Sequence, residues 1–294
     1  MTGHTASAGV RSYLYVPGDR ADRLARAADR GADALLADLE DAVSAARKDQ
    51  ARQTVAAWLA GPERIRCQVW IRVNSDHAAD DIAATISPAV AGVVVPKAEP
   101  ALLASISSLL SGREDELGLG EGTFAMIPLI ETAAGLLAAA DIATAPRVLR
   151  LGIGEADLAA DLRLQPDPGR AELMPLRLQI VVASAAARIA APVAPTATDF
   201  RDLDELREST EALLRLGFRA RTAIHPAQLP VINEVFTPSA QEVARARRLV
   251  EALAAAERTG SAVATDEDGR MVDEAVARSA REVLDRASTQ ADAT

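Results

Sequence analysis

Two carboxylates, Glu131 and Asp157, each follow a short apolar run and stand where a helix should begin. Carboxylates on neighbouring strand ends can share one hard cation and leave its other positions to water and substrate oxygens. Taken singly, each reads equally well as a helix cap favoured by the macrodipole. Arg72 closes the run Val69-Trp-Ile. Its planar guanidinium can grip a substrate carboxylate in a bidentate fork, or pair with Glu40 or Asp41. Asp38, Glu40 and Asp41 can anchor that arginine or cation-bound water, with Lys97 at the end of another run; a solvated loop is the alternative. Arg11, Arg20, Arg23 and Arg26, with Lys48 and Arg52, can meet phosphates or simply form a charged helix face. Arg11 and Arg26 are the substrate-binding candidates among them. His225 can act as a general base, but beside Pro226 it reads better as a hydrogen-bonded structural residue.

Composition narrows the chemistry. The chain has 294 residues, is 49% hydrophobic and carries a formal net charge of −10, which excludes a generally basic nucleic-acid-binding surface. Cys67 is the one cysteine, so an internal disulfide and a cysteine-based zinc site are excluded, and three histidines make a multi-histidine metal site a poor expectation. A metal here takes oxygen ligands, which favours Mg²⁺ or Mn²⁺. Gly118-Leu-Gly-Glu-Gly122 precedes an apolar run, where a phosphate cradle should follow one, and is read as a turn. The apolar runs are too short or too interrupted by charge to span a bilayer, and Met1 to Val10 lacks an apolar signal core. A cytoplasmic protein is the expectation.

The elements that must position these residues alternate regularly. Apolar runs at Tyr13–Pro17, Ala34–Asp38, Val69–Val73, Gly92–Pro96, Phe124–Ile130, Val148–Gly152, Ala191–Ala194 and Arg221–Ile224 are each followed by an amphipathic stretch. Eight strand-then-helix units of this length predict a closed parallel (β/α)₈ TIM barrel of the α/β class, although an open doubly wound sheet shares the alternation. Barrel sites lie at the C-terminal strand ends, where the polar candidates gather. The expected organisation is a disordered start over residues 1–10, a barrel over 11–236, a C-terminal helical lid extension over 237–288, and a disordered tail over 289–294. In the extension, Ser239 to Arg258 and roughly Glu274 to Arg286 read as helices, separated by a turn-rich piece.

These segments also carry a resemblance. Arg11-Ser-Tyr-Leu-Tyr-Val-Pro-Gly-Asp19, the stretch Gly31–Val43, Ile71-Arg-Val-Asn74, Val95-Pro-Lys-Ala-Glu99, Pro128-Leu-Ile-Glu-Thr132, Gly154-Glu-Ala-Asp-Leu158, Ile224-His-Pro-Ala-Gln228 and Asp268–Asp273 resemble, in order, motifs of the citrate lyase beta-subunit-like (HpcH/HpaI aldolase/citrate lyase) family. The resemblance implies a barrel that cleaves or forms a C–C bond in acyl-CoA esters with Mg²⁺. It implies Glu131 and Asp157 as metal ligands, Arg72 as substrate clamp and Asp273 as a catalytic acid–base residue. It also implies acyl-CoA and 2-keto acid substrates, and a homotrimer whose tail forms a lid shared between subunits. The chain departs from the pattern at Ala194-Pro195, where the family often carries Asp-Gly, at Arg26, where lysine is common, and at Leu164, near a usual glycine.

Overall fold

The computed structural model describes residues 9–61 and 65–291. Its contacts divide into two compact units, Met1–Asn233 and Glu234–Thr294. The first holds a closed barrel of eight parallel strands in sequential order: β1 (Ser12–Pro17), β2 (Ala34–Asp38), β3 (Gln68–Arg72), β4 (Gly92–Val95), β5 (Ala125–Ile130), β6 (Gly152–Ile153), β7 (Val193–Ala194) and β8 (Ala220–Ala223). The helices between them are α1 (Ala21–Ala27), α2 (Lys48–Leu59), α3 (Ala78–Thr85), α4 (Pro100–Leu117), α5 (Ala133–Leu137), α6 (Ala139–Ala143), α7 (Glu155–Asp161), α8 (Met174–Ala187) and α9 (Leu203–Leu216), and α10 (Leu229–Phe236) follows β8. The open-sheet alternative is excluded because β8 pairs back onto β1, Ser12 opposite Arg221.

The strands are buried on both faces, as parallel strands covered by helices must be. Tyr13, Ala34, Leu36, Trp70, Val94, Ile127, Leu129, Val193 and Ala220 pack into one apolar plug inside the barrel. Strand alternation then turns the residues two places further along toward the C-terminal mouth.

The sixth strand is shorter than its apolar run. Pairing covers only Gly152–Ile153, while Val148 makes an isolated bridge to Met126. The interruption centres on Arg150, a buried guanidinium that donates from NH1 to the Val10 carbonyl at 3.1 Å. That contact also corrects the expected frayed start. Residues 1–8 lie outside the described residues, but Val10 is a buried core residue. At the other end, helix backbone continues to Ala291, beyond the boundary expected at 288, and residues 292–294 lie outside the described residues.

The second unit contains α11 (Ala240–Arg258), a two-stranded antiparallel ribbon of β9 (Ala264–Thr265) and β10 (Met271–Val272), and α12 (Glu274–Ala291). Ser239 caps α11 in a reciprocal capping box with Glu242. Leu253, Val272 and Ala277 form its small core. The ribbon was not foreseen from the turn-rich sequence, because two-residue strands carry almost no alternation to read. Among the described residues, no helix is long and apolar enough to cross a membrane.

At Gly92 the backbones of β4 and β5 leave no room for a side chain. A β-carbon on Gly92 would lie 2.0 Å from the Ala125 carbonyl oxygen, a backbone atom that cannot yield without moving its strand. Gly92→Ala should lower the unfolding free energy by at least about 2 kcal/mol, read by urea denaturation. Unchanged stability would mean that the two strands can separate without cost.

Candidate active site

The site is built outward from Asp38. It ends β2 and is the register partner of Arg72 at the end of β3. Its carboxylate is 1% exposed and accepts from Arg72 Nε at 2.7 Å and NH2 at 2.6 Å. The same oxygens accept from the Glu40 and Ala42 backbone N–H groups, at 2.9 and 3.3 Å. One carboxylate therefore closes the loop after β2 and fixes the plane of the guanidinium. Tyr15 on β1 lies beneath it, with the Arg72 carbon 4.9 Å from the ring centroid. Burial disfavours the Arg72 charge, but the hydrogen bonds to Asp38 together with the charges of Asp38, Tyr15 and Glu40 outweigh it and hold the pKa above the ordinary arginine value. Burial pushes the Tyr15 phenol up as well.

Both earlier readings of Arg72 therefore have a place. It is ion-paired, and it also lines the cavity. Its NH1 lies 2.9 Å from Glu40 Oε2 and 3.5 Å from Asp41 Oδ2. The Glu40 approach is out of line for a hydrogen bond, and among the described residues no donor reaches that oxygen. Burial raises the Glu40 pKa, against the pull of Arg72 and Lys97.

The loop carrying Glu40 is pinned from outside. Lys48 Nζ donates to the Leu39 and Glu40 carbonyls at 2.7 and 2.6 Å, and Asn74 Nδ2 donates to the Leu39 carbonyl at 2.8 Å. Asn74 is in turn held by buried Asp81, which also takes Arg52. Lys48 and Arg52 are thus structural, and Arg20 pairs with Asp22. Arg11 is a correction. It stands before β1, at the opposite end of the barrel from the mouth, and is clamped by Asp33 through Nε and NH2, both at 2.8 Å. It cannot serve as a substrate-binding residue in this cavity. Arg26 does line the cavity, with Arg23 and Arg30 from the same stretch.

Glu131, one residue past β5, is 4% exposed. Its Oε1 accepts from the Lys97 backbone N–H at 2.7 Å, and Lys97 adopts a left-handed φ of 47° to present that group. Lys97 Nζ meanwhile donates to Glu40 Oε1 at 3.0 Å. Gly154 lies against the other side of Glu131, where a β-carbon would come within 2.3 Å of Oε2. Burial raises the Glu131 pKa to about 7, with the negative charges of Glu40 and Asp157 adding to the effect. Asp157, exposed in the first turn of α7, lines the same cavity.

A buried carboxylate with a second carboxylate close enough to raise its proton affinity, and only oxygen donors on both, suits a hard divalent cation. Among the described residues no group of three or more His, Cys, Asp or Glu is placed to hold a metal. Two carboxylates leave the remaining positions of an octahedral ion to water and substrate.

His225 keeps its structural reading: Nδ1 accepts from Ala227 N at 3.2 Å in a capping box with Gln228, and Phe200 stacks on the ring at 4.7 Å. Asp273, in the second unit, caps α12 by accepting from Val276 N at 3.0 Å. Tyr15, Asn74 and Lys48 were missed as site supports. Tyr15 alone had a signal, two places beyond a barrel-interior residue on β1.

Two outcomes check this geometry. In metal-free protein, Glu131 has a folded pKa near 7 against an ordinary value of 4.5, so the native state holds the extra proton between those limits. Its contribution to stability is therefore greatest below pH 4.5 and falls as pH rises toward 7. With chelator present, Glu131→Gln should be more stable than wild type at pH 8, by on the order of 1–3 kcal/mol, and equal to it near pH 4.5. A pH-independent difference would contradict the burial account. For Arg72→Lys, which keeps charge but loses the fork, kcat/KM should fall on the order of 10²-fold with Mg²⁺ affinity nearly unchanged; wild-type kinetics would leave Arg72 a purely structural partner.

Known proteins resemble this chain along nearly its whole length. The family model for HpcH/HpaI aldolase/citrate lyase matches residues 11–226. The citrate lyase subunit beta of Leuconostoc mesenteroides subsp. cremoris is 31% identical over 93% of this chain and 92% of its own. A (3S)-malyl-CoA thioesterase of Cereibacter sphaeroides is 34% identical over 94% of each chain. The CitE protein of Mycobacterium tuberculosis, solved with magnesium, acetoacetate and coenzyme A, superposes with a TM-score of 0.75 at 30% identity, covering 96% of this chain and 100% of that one. With a matching barrel, and with that match spanning every strand of it, the chain belongs to the HpcH/HpaI aldolase/citrate lyase family.

Proposed function

We propose that this chain is a Mg²⁺-dependent carbon–carbon lyase acting on a 3-hydroxyacyl-CoA ester of the malyl-, methylmalyl-, citramalyl- or citryl-CoA type. The observation that carries the reading is that an oriented guanidinium, Arg72, and two carboxylates, the buried Glu131 and the exposed Asp157, line one cavity of about 1630 Å³. That volume exceeds what a keto acid needs and leaves room for a thioester arm.

Glu131 and Asp157 would hold the cation, which when bound supplies Lewis-acid polarisation of substrate oxygens. Arg72 orients the acid substrate and neutralises negative charge developing on oxygen, and Asp38 prevents it from reorganising during the reaction. Arg23, Arg26 and Arg30 offer positive charge to the phosphates of the CoA arm. In cleavage, the hydroxyl proton passes to solvent water, the C2–C3 bond breaks, and its electron pair passes to the thioester as an enolate. Protonation at C2 then gives acetyl- or propionyl-CoA, and the other half departs as a 2-keto acid. Asp273 is assigned that proton transfer, worth roughly 10²–10⁴-fold. It would act from the tail of a neighbouring copy, in a homotrimer with shared lids, in a cytoplasmic setting.

The Cereibacter sphaeroides relative supports a second reading, hydrolysis of the thioester on the same residues. Incubating malyl- and citramalyl-CoA with Mg²⁺ while measuring keto acid and free CoA separately decides between them. The lyase reading expects one keto acid per ester consumed and negligible free CoA; free CoA without keto acid would establish the hydrolase.

The shared lid has its own test. Arg72→Ala and Asp273→Ala should each be folded and nearly inactive, and co-refolding the two should restore activity in mixed sites. A mixture that stays inactive despite subunit exchange seen by mass spectrometry would confine Asp273 to its own chain or remove its role.

A further inference from the structure

The mouth of the barrel has two unlike halves. Tyr15, Asp38, Arg72 and Glu131 occupy one. At the strand ends of β6, β7 and β8 stand Gly152, Gly154, Val193, Pro195 and Thr222, none of which is ionisable, while Glu155, Asp157, Arg170, Glu205 and His225 line the cavity from the segments beyond those strands. Beneath Glu131 the register aligns Leu129 with Gly152, and Gly152 with Val193. Leu129 and Val193 belong to the same apolar plug as Leu36, Trp70 and Ile127. This layer is the floor of the cavity.

Both glycines face inward. A β-carbon at Gly152 would stand 2.6 Å from Leu129 Cδ2, just as one at Gly154 would meet Glu131. The room a side chain would take at each is filled instead by Leu129, which belongs to the floor, and by Glu131. The Thr222 hydroxyl is 2.7 Å from the Thr196 hydroxyl and 3.3 Å from the Ala194 carbonyl, so its polar group is already engaged with the end of β7. The cations lining the cavity stand elsewhere. Arg72 is taken by Asp38 and Glu40, Arg170 lies 3.6 Å from Glu155, and Arg23, Arg26 and Arg30 are on and just after α1.

Resting on the lyase reading above, we infer that this floor seats an alkyl substituent of the 2-keto acid, so that the chain selects keto acids carrying an alkyl group on the carbonyl carbon. Leu129, Val193 and Thr222 are then the specificity-determining residues. A second carboxylate, as in oxaloacetate, would enter an apolar layer with no cation to meet it. A bare hydrogen, as in glyoxylate, would leave the floor without contact.

The test ranks glyoxylate, pyruvate, 2-oxobutyrate and oxaloacetate with the Mg²⁺-loaded protein. Calorimetry measures affinity, and condensation with acetyl-CoA measures kcat/KM. Pyruvate and 2-oxobutyrate should exceed glyoxylate and oxaloacetate by about tenfold or more. Val193→Thr, nearly the same shape with a hydroxyl in the floor, should reduce the advantage of 2-oxobutyrate over glyoxylate by about fivefold or more. Preference for glyoxylate or oxaloacetate in an active enzyme overturns the floor assignment and leaves the lyase reading standing. Failure of all four acids both to bind and to react overturns the two together. A ranking unchanged in Val193→Thr, with melting temperature unchanged, also overturns the assignment, and the wild-type ranking stands as evidence whether or not that variant folds.

Discussion

The site depends on a single cross-strand ion pair, Asp38 with Arg72. Parallel register places the two residues opposite each other at the ends of β2 and β3. A slip by one residue would turn one of them to the outside of the barrel. Asp38 is almost fully enclosed, so its charge must be met where it stands, and Arg72 meets it through two hydrogen bonds in one plane. Removing either partner would strand a buried charge, a loss of about 3–5 kcal/mol. The pair therefore sets the aim of the guanidinium before any substrate arrives.

Other parts of the molecule serve that aim. The N–H groups of Glu40 and Ala42 complete the coordination of Asp38, and Lys48 and Asn74 hold the carbonyls of the intervening turn. Lys97 then links this loop to β5. Its ammonium meets Glu40 while its backbone N–H meets Glu131. A continuous polar chain thus runs from β2 to the carboxylate that faces the cavity. Burial raises the pKa of both Glu131 and Glu40, and neighbouring carboxylate charges add to the effect. A divalent cation at Glu131 would favour its charged form.

Much of this was legible in the residues, and the exceptions have physical reasons. Seven of the eight strands fall on their apolar runs because parallel strands buried on both faces produce unbroken apolar sequence. The sixth shifts because a buried arginine, Arg150, sits within its run and interrupts the ladder. Arg72, Glu131 and Asp157 were singled out because strand ends are where a barrel gathers chemistry, and all three line the cavity. Arg11 misled because a basic residue beside a strand looks alike at either end, and only the fold shows that Asp33 holds it at the far one. Lys48 stood among the phosphate candidates, and its actual role was not legible, because it donates to two backbone carbonyls and carbonyls leave no trace in residue identity. Gly152 and Gly154, in and just after β6, permit the close approach of Leu129 and Glu131, a use that carries no spacing signature.

The central claim is that Asp38 and Arg72 act as one unit. A double-mutant cycle on kcat/KM with Asp38→Asn, Arg72→Lys and the double variant measures that coupling directly. Each single change should lower kcat/KM by on the order of 10²-fold, and the double variant should fall within a few-fold of the worse single. If the two losses instead multiply, the residues contribute independently, and the aim of the guanidinium is not set by the pair.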